Sequence, residues 1–485
     1  MLFSSITFLY GFLPLTLVVY FAIPQPKGKS KSLPLGSPAF RNFWLLAASL
    51  VFYAWGEPRY VLLMLAQCLA AWLFGLGIEK WRGRRAGTIL FALSCCVSLG
   101  ALLFFKYTDF VLVNLRLAPM RLALPIGISF YTFQVLSYTI DLRRGDIPAQ
   151  RNFFTLATYI ALFPALIAGP ILRYASVAEA LASRSHSTED FVHGVERFLI
   201  GMGKKILLAN TLGQLVEFSR GQPNAMAAWT YLLAYTLHIY FDFSGYSDMS
   251  IGMGRMLGLR FPENFNYPYI TRSVAEFWRR WHMTLGGWFR DYVYIPLGGN
   301  RVKPPRYVLN VMVVWALTGF WHGANWNYML WGLYYGLLLL FEKFVLKGRQ
   351  ERWPRVLQHI YGLLMVGLGF VLFDCVRLAD AGATYMALFG LTGGMSSAAL
   401  YYLRSYALPL ALGILGATPL PAKLAKKLSD AAPRTFLALT LVGLALLLAV
   451  VTAYLVDGSF NPFIYLVIVG NKVDSKGEAS LLTVW

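Results

Sequence analysis

Residues 435–456 read TFLALTLVGLALLLAVVTAYLV, an apolar run without a single charge. As a helix, a run of this length matches the roughly 30 Å of hydrocarbon in a bilayer. That layer holds no water for the backbone to bond, so a spanning segment is a helix or part of a closed barrel. Barrel strands alternate apolar and polar residues, and this run is continuous. It reads as a helix. The pattern recurs, with candidate crossings near 2–23, 42–55, 60–79, 87–113, 122–140, 153–171, 197–217, 228–257, 308–344 (long enough for two passes), 357–375, 405–420 and 435–456. The expectation is an all-α integral membrane protein, a polytopic bundle of roughly 11–13 transmembrane helices with re-entrant or interfacial segments. No internal repeat is apparent.

Composition agrees. The 485 residues are 57% hydrophobic and 14% charged, against ~25% charged in average soluble domains. The net charge of +20 raises nucleic acid as a partner, but its placement argues for membrane topology instead. Lys27, Lys29, Lys31 and Arg41 follow the first span, and Lys80, Arg82, Arg84 and Arg85 follow the third. The turn between them offers only Arg59, beside Glu57. Alternating rich and poor loops follow the positive-inside rule and put the N-terminus outside the cell. Residues 1–22 lack the basic start and small-residue exit of a cleaved signal, so they read as the first span. Cys68, Cys95, Cys96 and Cys375 all sit in apolar segments, as small core hydrophobes do. They show neither metal spacing nor a disulfide framework.

Function in a membrane protein shows where polar groups enter apolar runs. The stretch 237–252, LHIYFDFSGYSDMSIG, carries His238, Asp242 and Asp248. His238 and Asp242 share one helix face at i, i+4, as the wall of a polar cavity or proton path, or as an interhelical clamp. The stretch 276–301, EFWRRWHMTLGGWFRDYVYIPLGGNR, is too charged to span and too aromatic for an ordinary loop. It reads as an amphipathic segment at the interface, with His282 in its middle, a break at Gly286-Gly287 and a closing turn at Pro296–Gly299. The stretch 317–326, LTGFWHGANW, sets His322 among Phe320, Trp321 and Trp326. There Gly319 and Gly323 admit a close backbone or ligand, and Asn325 and Asn327 are placed to orient an imidazole. A lone histidine flanked by aromatics is more often structural than catalytic. Finally, LPIGISFYTFQ at 124–134 and FPALIAGPILR at 163–173 carry helix breakers, which either line a cavity or kink for packing. There is no GxSxG elbow, no P-loop and no His-x4-Asp pair.

The runs WHMTLGGWFRDYVYIPLGGNR and LTGFWHGANWNYMLWGLYYG resemble the membrane-bound O-acyltransferases. Together with LPIGISFYTFQ, FPALIAGPILR and IYFDFSGYSDMSIGMGRMLG, they resemble the bacterial branch that contains the alginate O-acetylation membrane protein. The resemblance runs from about residue 5 to 465 and implies one membrane domain over 1–465, leaving 466–485 as a tail without a reading. It also implies a central tunnel through the bilayer, with the family's invariant histidine at His322 and its polar partner at His282. Trp281, Arg290, Asp291, Tyr294, Phe320, Trp321, Asn325 and Asp242 become supporting or tunnel residues. The implied donor is acetyl-CoA, with no bound cofactor and no metal. The implied acceptor is a hydroxyl of an extracytoplasmic polysaccharide, reached with a partner protein outside the bacterial inner membrane.

An imidazole titrating near 6.5 takes and returns a proton at neutrality, which suits His322 as general base or transient acyl carrier. Cationic pairs such as Lys204-Lys205 and Arg279-Arg280 are candidates to meet CoA phosphates, and lipid headgroups explain them equally well. Two alternatives stand beside this reading. One is acyl transfer of another kind, such as D-alanyl from a carrier protein to teichoic acid. The other is a transporter built on His238, Asp242 and Asp248, for which repeat symmetry would be expected.

Overall fold

The computed structural model describes residues 1–24, 38–457 and two antiparallel two-residue strands, Lys472–Val473 and Ala479–Ser480. Among the described residues every other regular element is a helix. Lys27, Lys29, Lys31 and the remainder of the 466–485 tail lie outside them.

Five described helices are long and apolar enough to cross a bilayer alone: Val61–Lys80, Arg85–Asn114, Trp326–Leu346, Arg355–Asp374 and Pro433–Val456. Ser397–Ser405 and Ala407–Gly416, bent by 57°, make a sixth if taken as one span. This is fewer than the 11–13 expected, and the reason is physical. Several apolar stretches are built from shortened or broken helices. The stretch 153–171 breaks after Ala161, and only the short helix Phe163–Leu166 follows. Others carry polar residues through a long helix, as Ala225–Met256 does over 32 residues. The chain is a multi-pass membrane protein in which whole and broken helices share the work.

It divides into two compact units. The first comprises Met1–Phe198 and Tyr246–Pro262. Its core is aromatic, with Phe3, Phe8, Phe12, Phe52 and Phe163 holding ring centroids 4.9–6.3 Å apart. The helix breakers of 163–173 serve this packing. The Phe163 amide, outside any helical ladder, donates to Ser49 Oγ at 3.0 Å, and residues 155–172 are all buried. A Cβ at Gly169 would stand 2.5 Å from Ser250 Oγ and 2.6 Å from the Ala165 Cα. Asp248 pairs with Arg197 at 2.8 Å.

The second unit comprises Leu199–Gly245 and Glu263–Trp485. Here His238 and Asp242 face one π-helical turn, Lys204–Ala209. His238 Nδ1 donates to the Ala209 carbonyl at 2.7 Å, and Lys205 Nζ meets Asp242 Oδ1 at 2.5 Å with both side chains fully buried. Of the two readings of this helix face, the geometry is the clamp. Lys205, expected among the exposed cations, is instead wholly inside. A π-turn places one extra residue on the helix circumference, which aims Lys205 at the neighbouring carboxylate. Arg280, another of the expected cations, pairs with Glu276 one turn back at 2.9 Å.

Candidate functional site

The segment 274–299 is two short helices, Val274–Arg280 and Met283–Phe289, running into a π-helical turn, Arg290–Tyr294. Two side chains secure the start of the first. Ser273 Oγ accepts from the Glu276 amide at 3.0 Å, and the buried Glu342 carboxylate accepts from the Val274 and Ala275 amides at 2.7 and 3.0 Å. A carboxylate at a helix N-terminus satisfies orphan donors and complements the dipole. The break lies at Trp281–His282, not at Gly286-Gly287, which sits inside a continuous helix. The turn expected at Pro296–Gly299 is present, with Gly298 and Gly299 both at positive φ.

The break has a cause. His282 adopts φ 44° and ψ 52°, a left-handed conformation that costs a non-glycine residue ~1–2 kcal/mol. It persists only where surroundings enforce it, and the enforcing residue is Asn264. Its backbone carbonyl accepts from the Met283 amide at 2.9 Å. Its side-chain Oδ1 receives the Thr284 hydroxyl at 2.9 Å and His282 Nδ1 at 3.0 Å. Asn264 and His282 are both buried.

His322 ends the helix Pro304–His322 and is likewise buried. Its ring is met nearly edge-on by Trp321, Trp331 and Phe373, at centroid distances of 5.0, 5.0 and 5.2 Å. Phe243 stands perpendicular to His282 at 4.7 Å. One indole joins the two imidazoles: Trp321 lies 6.1 Å from His282 and 5.0 Å from His322.

The hairpin that carries His322 is closed by backbone contact. A methyl at Gly319 would overlap the Tyr328 carbonyl, and one at Gly332 the Trp315 carbonyl. Gly319→Ala is therefore expected to cost about 1–3 kcal/mol through overpacking. A lowered midpoint in detergent melting checks it, and an unchanged midpoint would contradict the contact. Gly323 is approached by the Tyr328 ring rather than by a backbone.

Other expected site residues lie elsewhere. Asn325 caps the next helix, accepting from the Trp326 amide at 2.7 Å, and donates to the Val376 carbonyl. Asn327 donates to the Leu372 and Cys375 carbonyls. Both amides therefore hold the chain at 372–376 and do not orient His322. Trp281 packs on Phe265, Phe277 and Phe370 at 5.0–5.5 Å. Arg290 and Asp291 pair with each other at 2.6 Å, Arg290 largely exposed. Tyr294 follows them on the π-turn, and Phe320 is half-buried beside Trp321. Asp242 belongs to the Lys205 clamp.

Asn264, Phe373 and Glu342 escaped the sequence reading because each reaches the site from a distant stretch, whereas Trp331 lay inside a quoted motif and went unremarked among its other aromatics. The one local signal was Asn264 itself, in the turn-rich PENFNYPY. Among the described residues, no three His, Cys, Asp or Glu side chains gather as metal ligands. A cleft of about 220 Å³, lined by Ile206, Asn210, Gln214, Tyr406 and Tyr454 among others, lies in the same unit and includes neither histidine.

The chain was compared with known proteins. The family model of the membrane-bound O-acyltransferases matches residues 125–379, a range that contains Asn264, His282 and His322. The probable alginate O-acetylase AlgI of Azotobacter vinelandii is 39% identical over 406 residues, 80% of this chain and 78% of the relative. The peptidoglycan O-acetyltransferase of Helicobacter pylori is 31% identical over 432 residues, 81% and 80% respectively. The teichoic acid D-alanyltransferase of Bacillus subtilis is 30% identical over 279 residues, 53% and 70%. With a family match over more than half its length and relatives aligned along most of theirs, this chain belongs to the membrane-bound O-acyltransferase family and is an O-acyltransferase.

Proposed function

We propose that this chain is an O-acetyltransferase that takes acetyl from cytoplasmic acetyl-CoA and delivers it across the bacterial inner membrane, N-terminus outside, towards hydroxyls of an extracytoplasmic polysaccharide of alginate type. The observation that carries the reading is the pair of buried imidazoles, His282 and His322, flanking one indole inside aromatic walls. Such a site excludes the water that would hydrolyse the donor. Acetyl transfer needs a group to take the hydroxyl proton as oxygen attacks the thioester carbonyl, and a proton for the departing thiolate. One imidazole can do both, taking the hydroxyl proton as base and returning it to the thiolate as the imidazolium, with His322 as general base or transient acyl carrier and His282 in support.

The choice of acetyl and of a polysaccharide is supported by the alginate O-acetylases, about 40% identical over 80% of this chain. The D-alanyltransferase aligns over 53% of it. Acetyl-CoA is cytoplasmic and the polymer lies outside, so a tunnel meeting the histidines from both faces would pass the acetyl group without its carrier. A second, extracytoplasmic protein completes the relay to the sugar.

The test uses the purified full chain in proteoliposomes, with radiolabelled acetyl-CoA in one set and a labelled D-alanyl carrier protein in another. Alginate and a periplasmic extract are supplied to both. Label leaving acetyl-CoA for the polymer is the expected result. Label leaving the D-alanyl carrier alone would move the chain to the other acyl class, and no transfer from acetyl-CoA would reject the acetyl reading.

A further inference from the structure

We infer that Asn264 is a positioning residue, setting the tautomer of His282 so that Nε2 carries the lone pair in the transfer site. The inference rests on the acyl-transfer reading and refines it. An Asn side chain can turn either its oxygen or its NH2 group to a given neighbour, and the neighbours decide here. The Thr284 backbone amide, which can only donate, approaches the terminal atom of Asn264 that faces His282 at 3.4 Å. That atom is therefore the carbonyl oxygen, an acceptor. His282 Nδ1, 3.0 Å from the same oxygen, must then carry a proton. In a neutral imidazole the other nitrogen is left with a lone pair.

His282 Nε2 is buried and has no hydrogen-bond partner among the described residues. A polar atom left so is uncommon in a folded protein and calls for an explanation. An acceptor held ready for a proton is one that suits this site. The His282 ring packs against perpendicular Phe243 and against the Trp321 indole that also borders His322. Asn264 does two things at once: it holds residues 282–284 in the left-handed turn, and it fixes which nitrogen faces the chemistry.

The first measurement does not depend on activity. The full chain, labelled with ¹⁵N-histidine in bilayers, is studied by solid-state NMR at a pH where the rings are neutral. The His282 signals are assigned by their loss in His282→Gln. Protonated Nδ1 and unprotonated Nε2 are expected, with that preference lost in Asn264→Ala. A protonated Nε2 in the wild type overturns the inference, whether or not the transfer reading stands.

The second measurement is the pH profile of transfer. Asn264→Ala should lower kcat by about 10–100-fold, the usual scale for losing an orienting partner, with KM for the donor changed less than about threefold. Asn264→Asp keeps the acceptor and places a carboxylate against the ring. That favours the imidazolium, so activity is retained and its acid limb moves to higher pH. If both variants lose activity alike and the acid limb of Asn264→Asp stays where the wild type has it, Asn264 merely holds the fold. Loss of the Asn264 effects while His282→Ala still abolishes transfer would sink this inference alone.

Discussion

Asp242→Ala is expected to lose about 3–5 kcal/mol of stability, the scale seen when one partner of a buried ion pair is removed. Lys205 and Asp242 are both fully buried, 2.5 Å apart, and the truncation leaves the Lys205 ammonium inside without this carboxylate. At a membrane helix centre a charge alone costs about 2.5–3.5 kcal/mol on insertion scales. The double variant Lys205→Met, Asp242→Leu removes both charges, and well-packed apolar replacements of such pairs are often neutral or better. Melting followed by fluorescence-detected size exclusion should show a marked fall for the single variant and recovery for the double. A single variant as stable as wild type would mean that the pair contributes little, and that Asp242 is held for another reason.

The second large effect falls on catalysis. His322→Ala and His282→Ala should each slow single-turnover acetyl transfer by about 10²–10⁴-fold, the contribution of a positioned general base. In the barrier that is about 2.7–5.4 kcal/mol, at 1.36 kcal/mol per factor of ten. Groups that act as a unit are strongly non-additive, so the double variant should be little slower than the worse single one. Fully multiplicative losses would separate the two histidines into independent roles, and wild-type rates in His322→Ala would reject it as a catalytic group. His322→Ala should fold, because backbone contacts at Gly319 and Gly332 close the hairpin that carries it, and in His282→Ala the Asn264 carbonyl still accepts from the Met283 amide.

Much of this was legible in the chain. Continuous apolar runs announce helices in lipid because the bilayer permits little else, and the long motifs singled out His282 and His322, two rings that lie buried beside one indole. The number of crossings was less legible. Hydropathy measures how apolar a stretch is, but not whether Pro164 or a hydroxyl such as Ser49 lets it break and turn inside the protein. Helical spacing put His238 and Asp242 on one face, yet the partner that turns this face into a clamp, Lys205, sits 37 residues away on a turn whose extra residue no periodicity reveals. Asn264 was hidden for a similar reason. Its side chain acts on a residue 18 positions later, and a turn-forming Asn in a Pro-rich stretch looks ordinary until its neighbour proves to be a left-handed histidine.

The contact at Gly319 and Gly332 bears on how anything reaches His322. Two helices that touch through their backbones, each carbonyl lodged in the other's notch, resist small sliding. The next comparable seating lies a full helical turn away, about 5.4 Å along the axis. On the proposed function, space beside His322 is expected to open by rotation of Trp331, Phe373 and Trp321, the rings that pack on it, and not by sliding of the helices. On the same reading, trimming one of those rings is the change expected to admit a different acyl chain.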